Sequence, residues 1–188
     1  IAMYRPQWEN VSVPFSTLHG SIKRGFETFI PDGGEYDTIE TYFGNIDIRH
    51  HLCRFDDPIK EAKKLAQRYA DEITRISEKY NAKVVAWEPL PIENESRKVP
   101  KSGWYKGTPF YGSWQERNDV RSAFIEELEK HATVYKWTDV LLNTIGELSF
   151  RSMEKPQSVH LSRESYPYWN GKEWTEPKLE GGLSDFFS

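Results

Sequence analysis

Apolar residues recur along the chain with two different periods, and their alternation predicts the fold. From residue 59 to residue 80, Ile59, Ala62, Leu65, Ala66, Tyr69, Ile73, Ile76 and Tyr80 repeat at helical spacing. Asp57 supplies an N-cap and Pro58 suits the first helical position, so a helix is expected to open there. In that phase Ile59, Leu65, Tyr69, Ile73 and Ile76 face the core, and Lys60, Lys63, Lys64 and Arg68 face solvent. A second helix is predicted over 116–131, with Val120, Phe124 and Leu128 on one face. β-rich runs lie at 36–43, 83–87 and 133–137. A short strand is expected at 10–15, followed by a turn at 16–20 and a helix at 21–30 that Pro31-Asp32-Gly33-Gly34 breaks.

Strands alternating with helices predict an α/β fold: a three-layer, mostly parallel, flavodoxin-like sheet with helices on both faces. Residues 1–164 are assigned to this domain and 165–188 to an irregular C-terminal tail. Within the tail, Tyr168-Trp169-Asn170-Gly171-Lys172-Glu173-Trp174 predicts a hairpin, because Asn-Gly accepts the positive φ angles of a tight turn. Residues 89–114 break the alternation. They form a long loop rich in Pro and Gly that carries Trp104, Tyr105, Phe110, Tyr111 and Trp114, and loops of that length commonly serve function.

Composition narrows the classes. A net charge of −4 argues against an electrostatic grip on nucleic acid by the whole surface. A local exception stays open, since Arg97, Lys98, Lys101 and Lys106 stand among Trp104 and Tyr105, a mixture suited to sugars, nucleotides or single strands. The single cysteine, Cys53, excludes an intramolecular disulfide and is expected to be a buried, inert thiol. No apolar run approaches the roughly 20 residues of a spanning helix, so no membrane partner is expected. The first residues lack a secretory pattern, which makes the cytoplasm the expected compartment.

Open parallel sheets bind ligands beyond the carboxyl ends of their strands. That rule selects 16–20, 44–51, the loop after Glu88 and the surroundings of His160. The stretch Gly44-Asn45-Ile46-Asp47-Ile48-Arg49-His50-His51 crowds polar groups behind a glycine that lets the backbone turn sharply. Ser16 and Gly20 could place a hydroxyl and a backbone N–H in one pocket. His160 lies between Val159 and Leu161. His50 and His51, adjacent on an extended strand, would point to opposite faces, so no metal is expected, and no cofactor is implied. Asp47 and Arg49 are expected to pair, because an unpaired charge is costly to desolvate.

Taken in chain order, these stretches resemble the SGNH (GDSL-like) hydrolase family. Gly44-Asn45-Ile46-Asp47 is similar to that family's Gly-x-Asn-Asp block, and Asp47 and Arg49 match a Gly-Glu-Ile-Asp-Cys-Arg variant of it. Gln157-Ser158-Val159-His160 is similar to the closing Asp-x-x-His block. The resemblance covers 11–162. It implies ester hydrolysis, on short acyl or carbohydrate-like esters: Ser16 as nucleophile, His160 as general base, Asp47 as the supporting carboxylate, Gly20, Gly44 and Asn45 as oxyanion donors, and Arg49, Trp104 and Tyr105 as substrate contacts. The sequence departs from the family in three places. Gln157 stands where the family has Asp, Ile46 stands where it usually has the oxyanion Asn, and no Gly-Asp-Ser block is present. The spacing from Ser16 to Gly44 suits the family's second block, which sets the first strand and its nucleophile before Ile1. A competing expectation follows: a non-catalytic binding or assembly protein, of phage or cell-surface kind, that kept the fold. Ser16, Gly44, Asn45, Asp47, Arg49 and His160 are expected to converge on one pocket, overhung by 93–114.

Overall fold

The computed structural model describes residues 9, 11, 16–93, 99, 101, 106–108, 111–137, 141–153, 160–162, 165, 168, 169, 174 and 175. Three parallel strands, β1 (Thr38–Tyr42), β2 (Lys83–Trp87) and β3 (Val134–Tyr135), form a sheet in the order β1-β2-β3. Helix α2 (Pro58–Tyr80) connects β1 to β2, and α3 (Trp114–Glu129) lies between β2 and β3. The register pairs Thr38 with Lys83 and Tyr42 with Trp87, then Trp87 with Tyr135. This is the α/β class expected, built on a parallel sheet.

Strand order explains where the helices go. Parallel crossovers are right-handed, so strands added in sequential order place successive helices on the same face. Accordingly α2 and α3 pack against each other over Val84 and Ala86 of β2. Strand side chains alternate between faces, so Trp87 turns the other way. There it joins Leu90, Trp137, Leu141, Leu148, Met153 and Leu161 in a second cluster. Helices were expected on both faces. Among the described residues the long helices cover one, and irregular chain that includes the 3-10 turn Phe150–Ser152 accompanies the other cluster. Central β2 is buried from Val84 to Trp87, as a strand covered on both sides must be.

Local chemistry sets the helix ends. The Asp57 carboxylate accepts from Lys60 N at 3.0 Å, and Pro58 occupies the first turn. Asn81, with φ 48°, closes α2 in the left-handed conformation. Ser113 and Glu116 form a capping box at the start of α3. Leu65, Tyr69, Ile73 and Ile76 are buried as the spacing requires, and Lys60, Lys63, Lys64 and Arg68 are exposed. Ile59 departs from that reading at 36% exposure, because it sits in the first turn, at the end of the packed helix. Ile73→Ala should cost about 2–5 kcal/mol, since it removes buried methylenes and leaves a cavity. A shift of the urea midpoint at constant slope is the measurement, and a change under about 0.5 kcal/mol would overturn the helix phase.

Two segments fold differently from expectation. Residues 16–20 were read as a turn, yet helix α1 (Leu18–Arg24) begins inside them and ends at Gly25, after which Phe26–Phe29 forms a 3-10 turn. Residues 44–51 were read as a strand end running into loop. They coil instead into a wide π-type turn, Asp47–His51, and a 3-10 turn, Leu52–Arg54. The opposite-face argument for His50 and His51 therefore does not apply. The hairpin forms from β4 (Tyr168–Trp169) and β5 (Trp174–Thr175), which pair antiparallel. The strand expected at 10–15 falls outside the described residues, apart from Val11.

Candidate functional site

Beyond the carboxyl end of β2, the segment from Glu88 to Glu93 is held position by position. Glu88 N donates to Tyr135 O at 3.0 Å, and Trp137 Nε1 donates to Glu88 O at 2.8 Å. Arg121 Nε donates to Pro89 O at 2.8 Å. Leu90 N donates to Asn45 Oδ1 at 2.8 Å. Arg49 donates through its terminal nitrogen to Pro91 O at 2.8 Å. Trp114 Nε1 and Leu148 N both donate to Ile92 O. Two prolines remove two N–H groups that would otherwise need partners. A stretch without regular structure is thereby fixed against the sheet edge.

Two arginines, Arg49 buried and Arg121 half-buried, do much of this holding. Arg49, 4% exposed, pairs its Nε with the Glu93 carboxylate at 2.8 Å, and Glu93 is 1% exposed. Its second terminal nitrogen donates to Asn45 Oδ1 at 3.0 Å. The expected Asp47–Arg49 pair is therefore corrected: Arg49 belongs to Glu93. Arg121 pairs with Glu88 at 3.1 Å, and Glu88 also accepts from Trp137 N at 2.9 Å. Burial pushes the Glu88 carboxyl up and the Arg121 guanidinium down, each opposed by the charge of the other.

Asp47 has a different task. Its carboxylate accepts from Leu18 N at 2.7 Å and His19 N at 3.2 Å, satisfying the first N–H groups of α1 across 29 residues of sequence. Thr17 Oγ1 accepts from Gly20 N at 3.0 Å and completes the cap. The N–H of Gly20 is thus committed to Thr17. Burial raises the Asp47 pKa, and the two backbone donors oppose that rise. Asp47 thereby brings the 44–51 segment against the turn that carries Ser16.

Gly44 is buried with φ 98°. A Cβ there would lie 3.2 Å from Pro89 Cγ and 3.5 Å from Phe124 Cζ, so conformation and space both call for glycine. Asn45, half-buried, follows at once. Its oxygen takes two hydrogen bonds, from Leu90 N and Arg49, which fixes the amide plane and directs Nδ2 away from both. Nδ2 has no partner among the described residues, and the Asn45 side chain is half-buried.

The remaining candidates are less gathered. Ser16 Oγ accepts from Arg24 at 2.9 Å, at the foot of α1, which packs in the helical core through Leu18. His160 is exposed and adjoins Leu161, a member of the second cluster. Gln157, Trp104 and Tyr105 lie outside the described residues. Cys53 is buried, and burial raises its thiol pKa. No helix among the described residues is long and apolar enough to cross a membrane, and they contain no metal-holding group of three or more His, Cys, Asp or Glu. Sequence reasoning missed Glu88, Glu93, Arg121 and Trp137. Pro-Leu-Pro-Ile-Glu directly after a strand end was the available signal for the first two. Arg121, beside the apolar stripe of α3, had none.

Comparison with known proteins agrees with this architecture. No protein-family model matches the chain, and no curated protein matches its sequence. Among solved structures, a protein from Streptococcus pneumonia provisionally named as a platelet activating factor superposes with a TM-score of 0.53 at 17% identity. The match covers 78% of this chain and 61% of that one, so the chain spans under two thirds of that protein's length. The OSK domain of Drosophila Oskar superposes with a TM-score of 0.41 at 16% identity, over 82% of this chain and 63% of that one. At such identities the likeness is one of fold, and the first of these structures relates the chain distantly to that α/β architecture.

Proposed function

We propose that the chain is an SGNH-like hydrolase of acyl esters on carbohydrate-like molecules, with its site at the carboxyl edge of the parallel sheet. The observation that carries this reading is the Asn45 amide. Its oxygen is fixed by Leu90 and Arg49, and its nitrogen is left as a donor without a partner among the described residues, in the segment that resembles the family's Gly-x-Asn-Asp block. Such a preoriented donor stabilises the oxygen that becomes negative when an ester carbonyl is attacked.

In this reading Ser16 Oγ attacks the carbonyl carbon, His160 takes the hydroxyl proton, and the same proton passes to the departing alcohol. Water then releases the acyl group. Arg24 donates to Ser16 Oγ, which leaves the hydroxyl proton available to a base. Asp47 holds the turn beneath Ser16 through Leu18 and His19. Trp104 and Tyr105 are assigned to the substrate wall.

A second reading, binding without hydrolysis, is favoured by the placement of Ser16 and His160 beside different apolar clusters. Hydrolysis of short p-nitrophenyl esters separates the two. Asn45→Ala is expected to lower kcat by about 10²–10³ with little change in KM, the loss typical of an oxyanion donor. His160→Ala should also lower kcat. Equal rates in wild type and both variants, or no hydrolysis by wild type, would overturn the hydrolase reading.

A further inference from the structure

Two arginines reach the turn that carries Ser16, and neither has a carboxylate partner among the described residues. Arg24 donates to Ser16 Oγ at 2.9 Å and lies over the Phe29 ring at 4.9 Å. Arg68 crosses from α2 and donates to His19 Nδ1 at 3.2 Å. Lys23 precedes Arg24 and is exposed, as are Arg24, Arg68 and His19. Among the described residues no carboxylate oxygen lies within the 4.0 Å of an ion pair from Lys23, Arg24 or Arg68. Neighbouring bases on α2 behave differently: Lys64 pairs with Glu61, and Arg75 pairs with both Glu27 and Glu72.

Arg68, like Lys60 and Lys63, has no carboxylate partner among the described residues, and it is the one that reaches His19. A guanidinium can only donate, so in this contact His19 Nδ1 is the acceptor. An imidazole nitrogen brings no negative charge to a cation, whereas a ligand oxyanion would pair with the guanidinium in a charge-matched bond that can be bidentate. The acids nearby do not fill that place. Asp47 lies beneath the turn with its oxygens on Leu18 N and His19 N, and Glu72 is held by Phe26 N and Arg75. Asp71 stands exposed three residues beyond Arg68. Uncompensated cations so close together stand out in a chain of net charge −4.

We infer that Arg24, Arg68 and Lys23 bind an oxyanion group, carboxylate or phosphate, carried by the ligand, so that the esters taken at this edge are those of acidic carbohydrates. The word ester rests on the reading given under Proposed function; the anion site does not. Both guanidiniums are already oriented, Arg24 by Ser16 and Phe29 and Arg68 by His19, so ordering them on binding costs little.

Calorimetric titration of the full chain with glucuronate, glucose 6-phosphate and glucose tests this. Both acidic sugars, or one of them, should bind more tightly than glucose, and the contrast between them identifies the oxyanion. The double variant Arg24→Gln/Arg68→Gln should weaken acidic-sugar binding by about tenfold or more, as should raising salt to about 1 M, where screening reaches ~3 Å. Lys83→Gln/Lys106→Gln, which removes two exposed charges elsewhere, should leave binding unchanged. Arg24 and Arg68 are exposed, so removing them uncovers no core. Equal affinity for all three sugars, binding of none, or the same loss in both double variants would overturn the site. None of the three sugars is an ester, so the two proposals fail separately. Acidic-sugar binding without esterase activity removes the hydrolase and keeps the site, and esterase activity without acidic preference does the reverse.

Discussion

Arg49→Met is expected to destabilise the protein by about 3–5 kcal/mol, the usual result of removing one member of a buried ion pair. Arg49 is 4% exposed and Glu93 1%, so the substitution takes the Arg49 guanidinium from a carboxylate in a poorly solvated place. The loss extends beyond charge. The same guanidinium donates to Pro91 O and to Asn45 Oδ1, and thioether sulfur can replace neither bond. Arg49→Lys should recover only part of the stability, because one ammonium cannot reproduce three bonds in a planar fork. Urea denaturation of both variants measures this. A loss below about 1 kcal/mol in the Met variant would show that water solvates Glu93 and that the pair is not structural.

Phe124→Ala is expected to cost a similar amount, about 3–5 kcal/mol, through lost burial and the cavity left behind. Phe124 is fully buried, and its ring lies 6.4 Å from that of Tyr69, so it joins α3 to α2. It also forms the floor beneath Gly44, next to Pro89. The substitution should therefore loosen Asn45 as well as the core, seen as altered amide resonances at Asn45 and Leu90 alongside the lower denaturation midpoint. A stable variant with those resonances unmoved would separate the site from the helix that supports it.

Much of the architecture was written in local pattern. Asp57-Pro58 and the spacing from Leu65 to Ile76 specify α2, because capping and one-sided burial act within a few residues. The strands at 38–42 and 83–87 were legible for the same reason. The starts of α1 and of the 47–51 turn were not, since each depends on a partner far along the chain. Thr17 offers a local cap, but Asp47, which receives the N–H of Leu18, lies outside any window around that residue. Of the candidate site, Gly44, Asn45 and Arg49 could be read from one short polar segment at a strand end. Glu93 and Arg121 could not, because their role is to neutralise or hold groups that only the folded chain brings near.

The grip on the segment from Glu88 to Glu93 also bears on the order in which the molecule assembles. Five of its bonds join residues 32 to 49 positions apart: Arg121 to Pro89, Arg49 to Pro91 and Glu93, Asn45 to Leu90, and Trp137 to Glu88. Each requires a long loop to close before it contributes anything, so none can guide early folding. Helices α2 and α3 can gain structure from their own caps, but the edge beyond β2 takes shape only when β1, β2, α3 and Trp137 have met. The donor amide of Asn45 is therefore a late product of folding, and a chain caught before the sheet closes has helices but no site.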